Sequence, residues 1–173
     1  MLALAGDYKT TRSSMRNITL LLMPAFCLCS LVFGQATPSF LPNPKLTPGA
    51  ALEVTQKELC EHGYESSDRT IPITLKIQVA DRYSISSDVG GYNVDHLIPV
   101  GLGGSNSLKN LWPQPLSGEW SYPRKNRLEA TLRKMVCRGE LDLKKAQQEI
   151  ATDWVATYKK YMGESGPGNS NPR

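Results

Sequence analysis

The sequence predicts a small α+β domain, mainly helical, built around one β-hairpin. Three observations carry this. A β-branched and aromatic run over 92–100 is followed by Gly101, Gly103 and Gly104 and then by Leu111-Trp112, the order of strand, turn and strand. Apolar residues then recur twice at helical spacing, first as Leu128, Leu132, Met135 and Val136, then as Leu143, Ala146, Ile150, Trp154, Val155 and Tyr158. At 173 residues, with 40% apolar and 21% charged residues, the chain has material for one ordinary soluble domain once its ends are set aside.

The ends are recognisable by composition. Met15, Arg16 and Asn17 lead into an apolar run over 18–33, and the small residues Gly34 and Ala36 follow, which is the order of a cleavable secretory signal. Residues 1–34 are therefore expected to be a signal peptide with an upstream extension, Met15 a candidate start, and Gly34 or Ala36 the cleavage point. A retained membrane anchor is the alternative, and the short run interrupted by Pro24 disfavours it. Cleavage leaves a secreted or periplasmic protein without stable membrane association. Residues 35–49, rich in Pro, Thr and Asn, read as an extended linker, 50–163 as the domain, and 164–173 as a disordered tail of Gly, Ser, Asn and Pro.

Losing residues 1–34 removes three basic residues (Lys9, Arg12, Arg16) and one acidic (Asp7) from a formal net charge of +4, leaving about +2. Charge alone is no argument for a polyanionic partner. Cys27 and Cys29 leave with the signal, so the mature chain keeps Cys60 and Cys137, which an oxidising compartment most simply joins. Two separate buried thiols are the alternative. A zinc site built from Cys60 and His62 fails for want of further ligands, since the mature chain has two Cys and two His.

Within the domain, Thr55 and Glu58 are spaced as a capping box for a short helix ending by Gly63, with Cys60 in its last turn. Residues 71–83 are ambiguous. Ile71, Ile73, Leu75, Ile77 and Val79 alternate as in a strand, while Leu75, Val79 and Tyr83 share a helical face; Pro72 at the start and Ala80-Asp81-Arg82 at the end favour helix. The strand over 92–100 bends at Pro99, and the second strand opens at Leu111-Trp112 and is stopped by Pro113 and Pro115. Gly139 stands where the next helix needs its C-terminal cap, and Asp142 caps the last helix.

One stretch carries chemistry: Tyr92-Asn93-Val94-Asp95-His96-Leu97-Ile98-Pro99-Val100-Gly101-Leu102-Gly103-Gly104-Ser105, then Asn110-Leu111-Trp112-Pro113-Gln114. It resembles the HNH (His-Me finger) endonuclease family, in which a ββα-metal motif has an Asp-His pair closing the first strand, a Gly-rich loop, Asn-Leu opening the second and a metal ligand on the following helix. The resemblance covers about residues 92–136. Leu46-Thr47-Pro48-Gly49, Leu-Trp-Pro-Gln and Asp153-Trp154 also look like a group of small exported bacterial proteins carrying an HNH-like motif.

The resemblance implies roles that the residue types suit. Phosphodiester hydrolysis needs a base to deprotonate water and a cation to offset charge on the phosphorane and leaving oxygen. His96 is the candidate base and Asp95 the candidate metal ligand; being neighbours, they share one site only if the strand bends after them. Asn110, fourteen residues after His96, is similar in spacing to the bracing asparagine in the HNH domain of RNA-guided CRISPR nucleases. No histidine follows the second strand, and Lys125-Asn126-Arg127 resembles the Lys-Asn-Arg of that domain, whose asparagine binds metal. Asn126 is accordingly the candidate second ligand. A carboxylate, an amide oxygen and waters suit Mg²⁺ or Mn²⁺ better than zinc.

Lys109, Arg124, Lys125 and Arg127 are the expected phosphate-binding rim, against the plainer reading of a solvated helix start. Trp112, Trp120 and Tyr122 stack on bases in one reading and pack a core in the other. The function implied is an exported metal-dependent endonuclease acting on DNA or RNA. The competing reading is a catalytically silent ββα module that binds nucleic acid or another anionic polymer, and a third is a structural protein with a hydrogen-bonded Asp-His turn. No immunity protein or other protein partner is named by the sequence.

Overall fold

A computed structural model describes residues 41–61, 64, 67–85 and 90–163. The chain divides into two units, Met1–Ala36 and Thr37–Arg173. The expected signal segment, the first part of the expected linker, His62 and the expected tail lie outside the described residues. Among the described residues no helix is long and apolar enough to cross a membrane.

The described residues form an α+β fold, with a two-stranded antiparallel sheet and four α-helices. Helix α1 (Gln56–Cys60) opens with the capping box, Thr55 and Glu58 each bonding the other's backbone N–H. Helix α2 (Ile73–Arg82) resolves the ambiguous segment. Its inward residues are Leu75 and Val79, whereas Ile73 and Ile77 are 69% and 55% exposed. The alternation that resembled a strand thus came from isoleucines left facing water, which no packing rule forbids.

Strand β1 (Tyr92–His96) pairs with β2 (Leu111–Pro115) in the register Val94↔Pro113 and His96↔Leu111. Pro113 does not stop the strand as expected but lies inside it, and the strand ends on Pro115. The bonds Leu97 N–H to Asn110 C=O (2.7 Å) and Leu116 N–H to Gly91 C=O (2.9 Å) fix the phase of the ladder. Counting by twos from them, positions 111, 113 and 115 turn their nitrogens to the outer edge, where a proline costs no ladder bond. β1 is also shorter than expected. It ends at His96, and residues Val100–Leu102 form a single 3₁₀ turn.

Residues 41–49, expected as part of a linker, pack against the domain. The Thr47 hydroxyl donates to the Leu111 carbonyl on the outer edge of β2 (3.0 Å) and bonds the Tyr83 hydroxyl (2.7 Å), while Gly49 N–H donates to Lys109 C=O (2.8 Å). The proline-rich segment therefore covers an edge that would otherwise stand open.

Helix α3 (Tyr122–Cys137) starts with Pro123 in its first turn and ends in a Schellman motif: Gly139, at φ 74°, donates to Val136 C=O and Glu140 to Met135 C=O. Helix α4 (Leu143–Met162) is capped by Asp142 and interrupted at Asp153, whose φ/ψ of −158°/94° is not helical. The Asp153 carboxylate accepts from the N–H groups of Val155 and Ala156 (3.0 and 2.9 Å), so it caps a second helical segment after the kink. The main core lies between one sheet face and α1, α3 and α4, with Trp112, Leu128, Leu132, Ile150 and Trp154 at its centre; a smaller cluster of Val79, Val94 and Leu111 joins the other face to α2.

Cys60 and Cys137 form a disulfide between the ends of α1 and α3, 77 residues apart. A bridge closing a loop of that length restricts the unfolded chain by about 4–5 kcal/mol in the chain-entropy account. The double variant Cys60→Ser/Cys137→Ser is expected to lose about that much in urea unfolding, and an unchanged midpoint would show that the bridge contributes nothing.

Candidate functional site

The loop between the strands is held from inside by one side chain. Asn110 is fully buried; its Oδ1 accepts from Ile98 N–H (2.8 Å) and Ala50 N–H (3.4 Å), and its Nδ2 donates to the carbonyls of Ile98 and Ser105 (3.0 Å each). The turn can close this tightly because Gly104 has no side chain: a Cβ there would overlap the Ile98 carbonyl. Gly103, at φ 79°, sits in the left-handed region that other residues avoid.

This brace sets the end of β1. Asp95 and His96 begin on opposite sheet faces, yet both border one cleft, because the strand stops at His96 and the chain turns away. The Asp95 carboxylate accepts from His96 N–H (2.8 Å), and its Oδ1 lies 3.6 Å from His96 Nδ1. His96 Nε2 bonds Asn106 Oδ1 at 2.9 Å. The imidazole is buried and borders the cleft.

Helix α3 closes the other side. Its Tyr122, Asn126, Glu129, Ala130 and Arg133 follow helical spacing and line the cleft together with Arg69 from the 3₁₀ turn Ser67–Arg69; the volume is ≈ 530 Å³. Asn126 and Asp95 thus face the same space. Among the described residues, neither the Asn126 amide nor Asp95 Oδ2 has a hydrogen-bond partner, so both oxygens are available to a ligand. The helix opens at Tyr122, which puts Asn126 one turn in rather than at the first turn as expected.

The expected basic rim is where the sequence reading most needs correction. Lys125 is not at the surface: its side chain is 0% exposed, and its Nζ donates to the His96 carbonyl (2.7 Å) and pairs with Glu129. Arg124 turns the other way, onto Trp120 (4.8 Å) and Tyr158 (5.7 Å) beside α4, with Glu119 at 3.6 Å. Arg127 and Lys109 are exposed but do not line the cleft. Helical geometry explains this, since residues 124 and 127 stand about 200° and 100° around the axis from Asn126. Among the described residues, the cations lining the cleft are Arg69 and Arg133. The latter was legible in principle, because it continues the Asn126 face at i+7. Trp112 is fully buried and Trp120 packs edge-on against Trp154 and Tyr158, so of the three aromatics only Tyr122 faces the cleft.

Charge in the cleft is tightly balanced. Burial acts to raise the Asp95 pKa, but the nearby His96 imidazole, the Lys125 ammonium and the backbone hydrogen bond from His96 outweigh it and hold the carboxyl below the usual range. Burial pushes Glu129 up; the Lys125 charge opposes this and the Asp95 charge adds to it. Among the described residues no three His, Cys, Asp or Glu side chains stand together as a ready metal cage. Among the described residues, the carboxylate and amide oxygens bordering the cleft belong to Asp95, Glu129 and Asn126.

No family model, curated protein or solved structure matches this chain.

Two outcomes follow from this geometry. Lys125→Met leaves a buried carbonyl and a half-buried carboxylate without their donor, and is expected to cost about 2–3 kcal/mol in urea unfolding; a variant as stable as wild type would contradict the account. Because Asp95 has a lowered folded pKa, its stabilisation is full above its unfolded value and is lost as pH falls through the folded value. Asp95→Asn should therefore lose less thermal stability than wild type on acidification below about pH 4, and a parallel loss in both proteins would contradict it.

Proposed function

We propose that the mature chain is an exported, metal-dependent endonuclease of the HNH type that hydrolyses phosphodiester bonds in DNA or RNA. The observation that carries this reading is the meeting of Asp95, His96 and Asn126, from a strand end and a helix, around one open cleft. The Cys60–Cys137 bridge suits an oxidising compartment and supports export.

The donor set fits a hard divalent cation. Asp95 and Asn126 would hold Mg²⁺ or Mn²⁺ through their oxygens, with Glu129 beside them, and among the described residues no thiolate or second imidazole borders the cleft to favour zinc. Such a cation offsets the charge that develops on the phosphorane and the leaving oxygen. His96 accepts the proton of the attacking water as a neutral imidazole. Asn110 and Gly104 keep the loop in the one shape that presents it. Arg69 and Arg133 line the cleft and would meet a phosphate bound there, Arg133 while donating to the Leu59 carbonyl (3.0 Å), and Tyr122 offers the exposed ring on which an unpaired base can stack.

Incubating purified residues 37–173 with plasmid, single-stranded DNA and RNA tests this directly. Cleavage is expected with Mg²⁺ or Mn²⁺ and not with EDTA. His96→Ala should abolish it while leaving Mn²⁺ binding intact, and Asn126→Ala should slow it at least tenfold, about 1.4 kcal/mol of transition-state stabilisation, without a change in melting temperature. Nucleic-acid binding without cleavage under every condition would replace this reading with that of a silent binding module.

A further inference from the structure

Asn106 lies in the loop that follows the glycines, where turn chemistry alone would account for an asparagine. Its surroundings ask for more. The backbone N–H of Asn106 donates to Asp68 Oδ2 (2.7 Å), its side-chain Nδ2 donates to the Thr70 carbonyl (2.9 Å), and its Oδ1 meets His96 Nε2 (2.9 Å). Both ends of the carboxamide are therefore used, and a loop remote in sequence, residues 68–70, sets which end points where.

Thr70 C=O can only accept, so the NH₂ of Asn106 must face it and the oxygen must face the imidazole. An oxygen acceptor at Nε2 requires the hydrogen of a neutral imidazole to be on Nε2. The opposite arrangement would set two carbonyl oxygens against each other at the Thr70 contact. At Nδ1 it would gain only the electrostatic attraction of the Asp95 carboxylate, whose Oδ1 is 3.6 Å away and too far for a hydrogen bond.

We propose that Asn106 is a positioning residue for His96: its carboxamide, oriented by Thr70 and Asp68, keeps the proton of the neutral imidazole on Nε2 and leaves the lone pair on Nδ1, the nitrogen beside Asp95. The role deepens the proposed function and rests on it for its purpose, since it specifies which nitrogen takes the proton of the attacking water. The assignment of the tautomer itself rests on hydrogen bonds alone. It also gives the 68–70 segment a task at the site, as the fixed wall against which the Asn106 amide is oriented.

The tautomer can be read without any catalysis. The chain has two histidines, His62 and His96, so protein labelled with ¹⁵N-histidine gives a spectrum that His62→Gln assigns. In EDTA, at a pH where the imidazole is neutral, His96 is expected to show a protonated, pyrrole-type Nε2 and an unprotonated Nδ1. Asn106→Asp, which keeps an acceptor at Nε2, should retain that pattern, and Asn106→Ala should shift it towards a mixture. A protonated Nδ1 in the wild type would overturn the proposal, as would an unchanged tautomer in Asn106→Ala; should that variant not fold, the wild-type and Asn106→Asp spectra still decide. In nuclease assays Asn106→Ala is expected to lower kcat at least tenfold with KM for nucleic acid unchanged. If the Nε2–H tautomer is found in a protein that cleaves nothing, the Asn106 assignment stands and the nuclease reading falls.

Discussion

Everything in the site hangs on the buried carboxamide of Asn110. It is the point at which the outgoing strand, the glycine turn and the returning strand are tied together, by two accepted and two donated bonds. No other side chain of that size supplies both functions: aspartate lacks the donors, and serine lacks the reach and the second donor. The turn it closes also needs Gly104, because the Ile98 carbonyl occupies the space of a Cβ. Loss of either residue would free β1 to continue as a regular strand, and Asp95 and His96 would then diverge to opposite faces.

A second tie couples the site to the core. Lys125 buries its ammonium group to hold the His96 carbonyl, so helix α3 is anchored to the strand end at the residue that bears the imidazole. The same charge favours ionised Asp95 and pairs with Glu129. A buried lysine is costly unless it is fully engaged, and this one gains its compensation from groups that border the cleft. Stability and site geometry are therefore not separable at this position.

Much of the fold was legible because local rules carried it. The Thr55–Glu58 capping box, the Gly139 cap, the Asp142 cap and the pairing of Cys60 with Cys137 all depend on short-range chemistry or on a small count of residues. What was hidden depended on facts that sequence does not carry. Pro113 and Pro115 read as stops because their free edge is visible only once the ladder phase is known. Lys125 read as a surface cation because nothing local reveals that its ammonium reaches a carbonyl 29 residues away. Asp153 sat within a continuous amphipathic pattern, and its capping of a second segment became visible only with the backbone angles. Arg69 approaches the cleft from a separate loop, with no periodicity to link it to Asn126.

The central claim is that Asp95 and Asn126 form one cation site beside His96. Crystals of residues 37–173 soaked with Mn²⁺ and a non-hydrolysable phosphorothioate oligonucleotide test it most directly, through anomalous diffraction at the manganese edge. The account predicts an anomalous peak in the cleft, at ligand distance from both the Asp95 carboxylate and Asn126 Oδ1, with a phosphate oxygen on the same ion. Manganese bound only elsewhere on the protein, with the oligonucleotide in place and the cleft empty of anomalous signal, would contradict it.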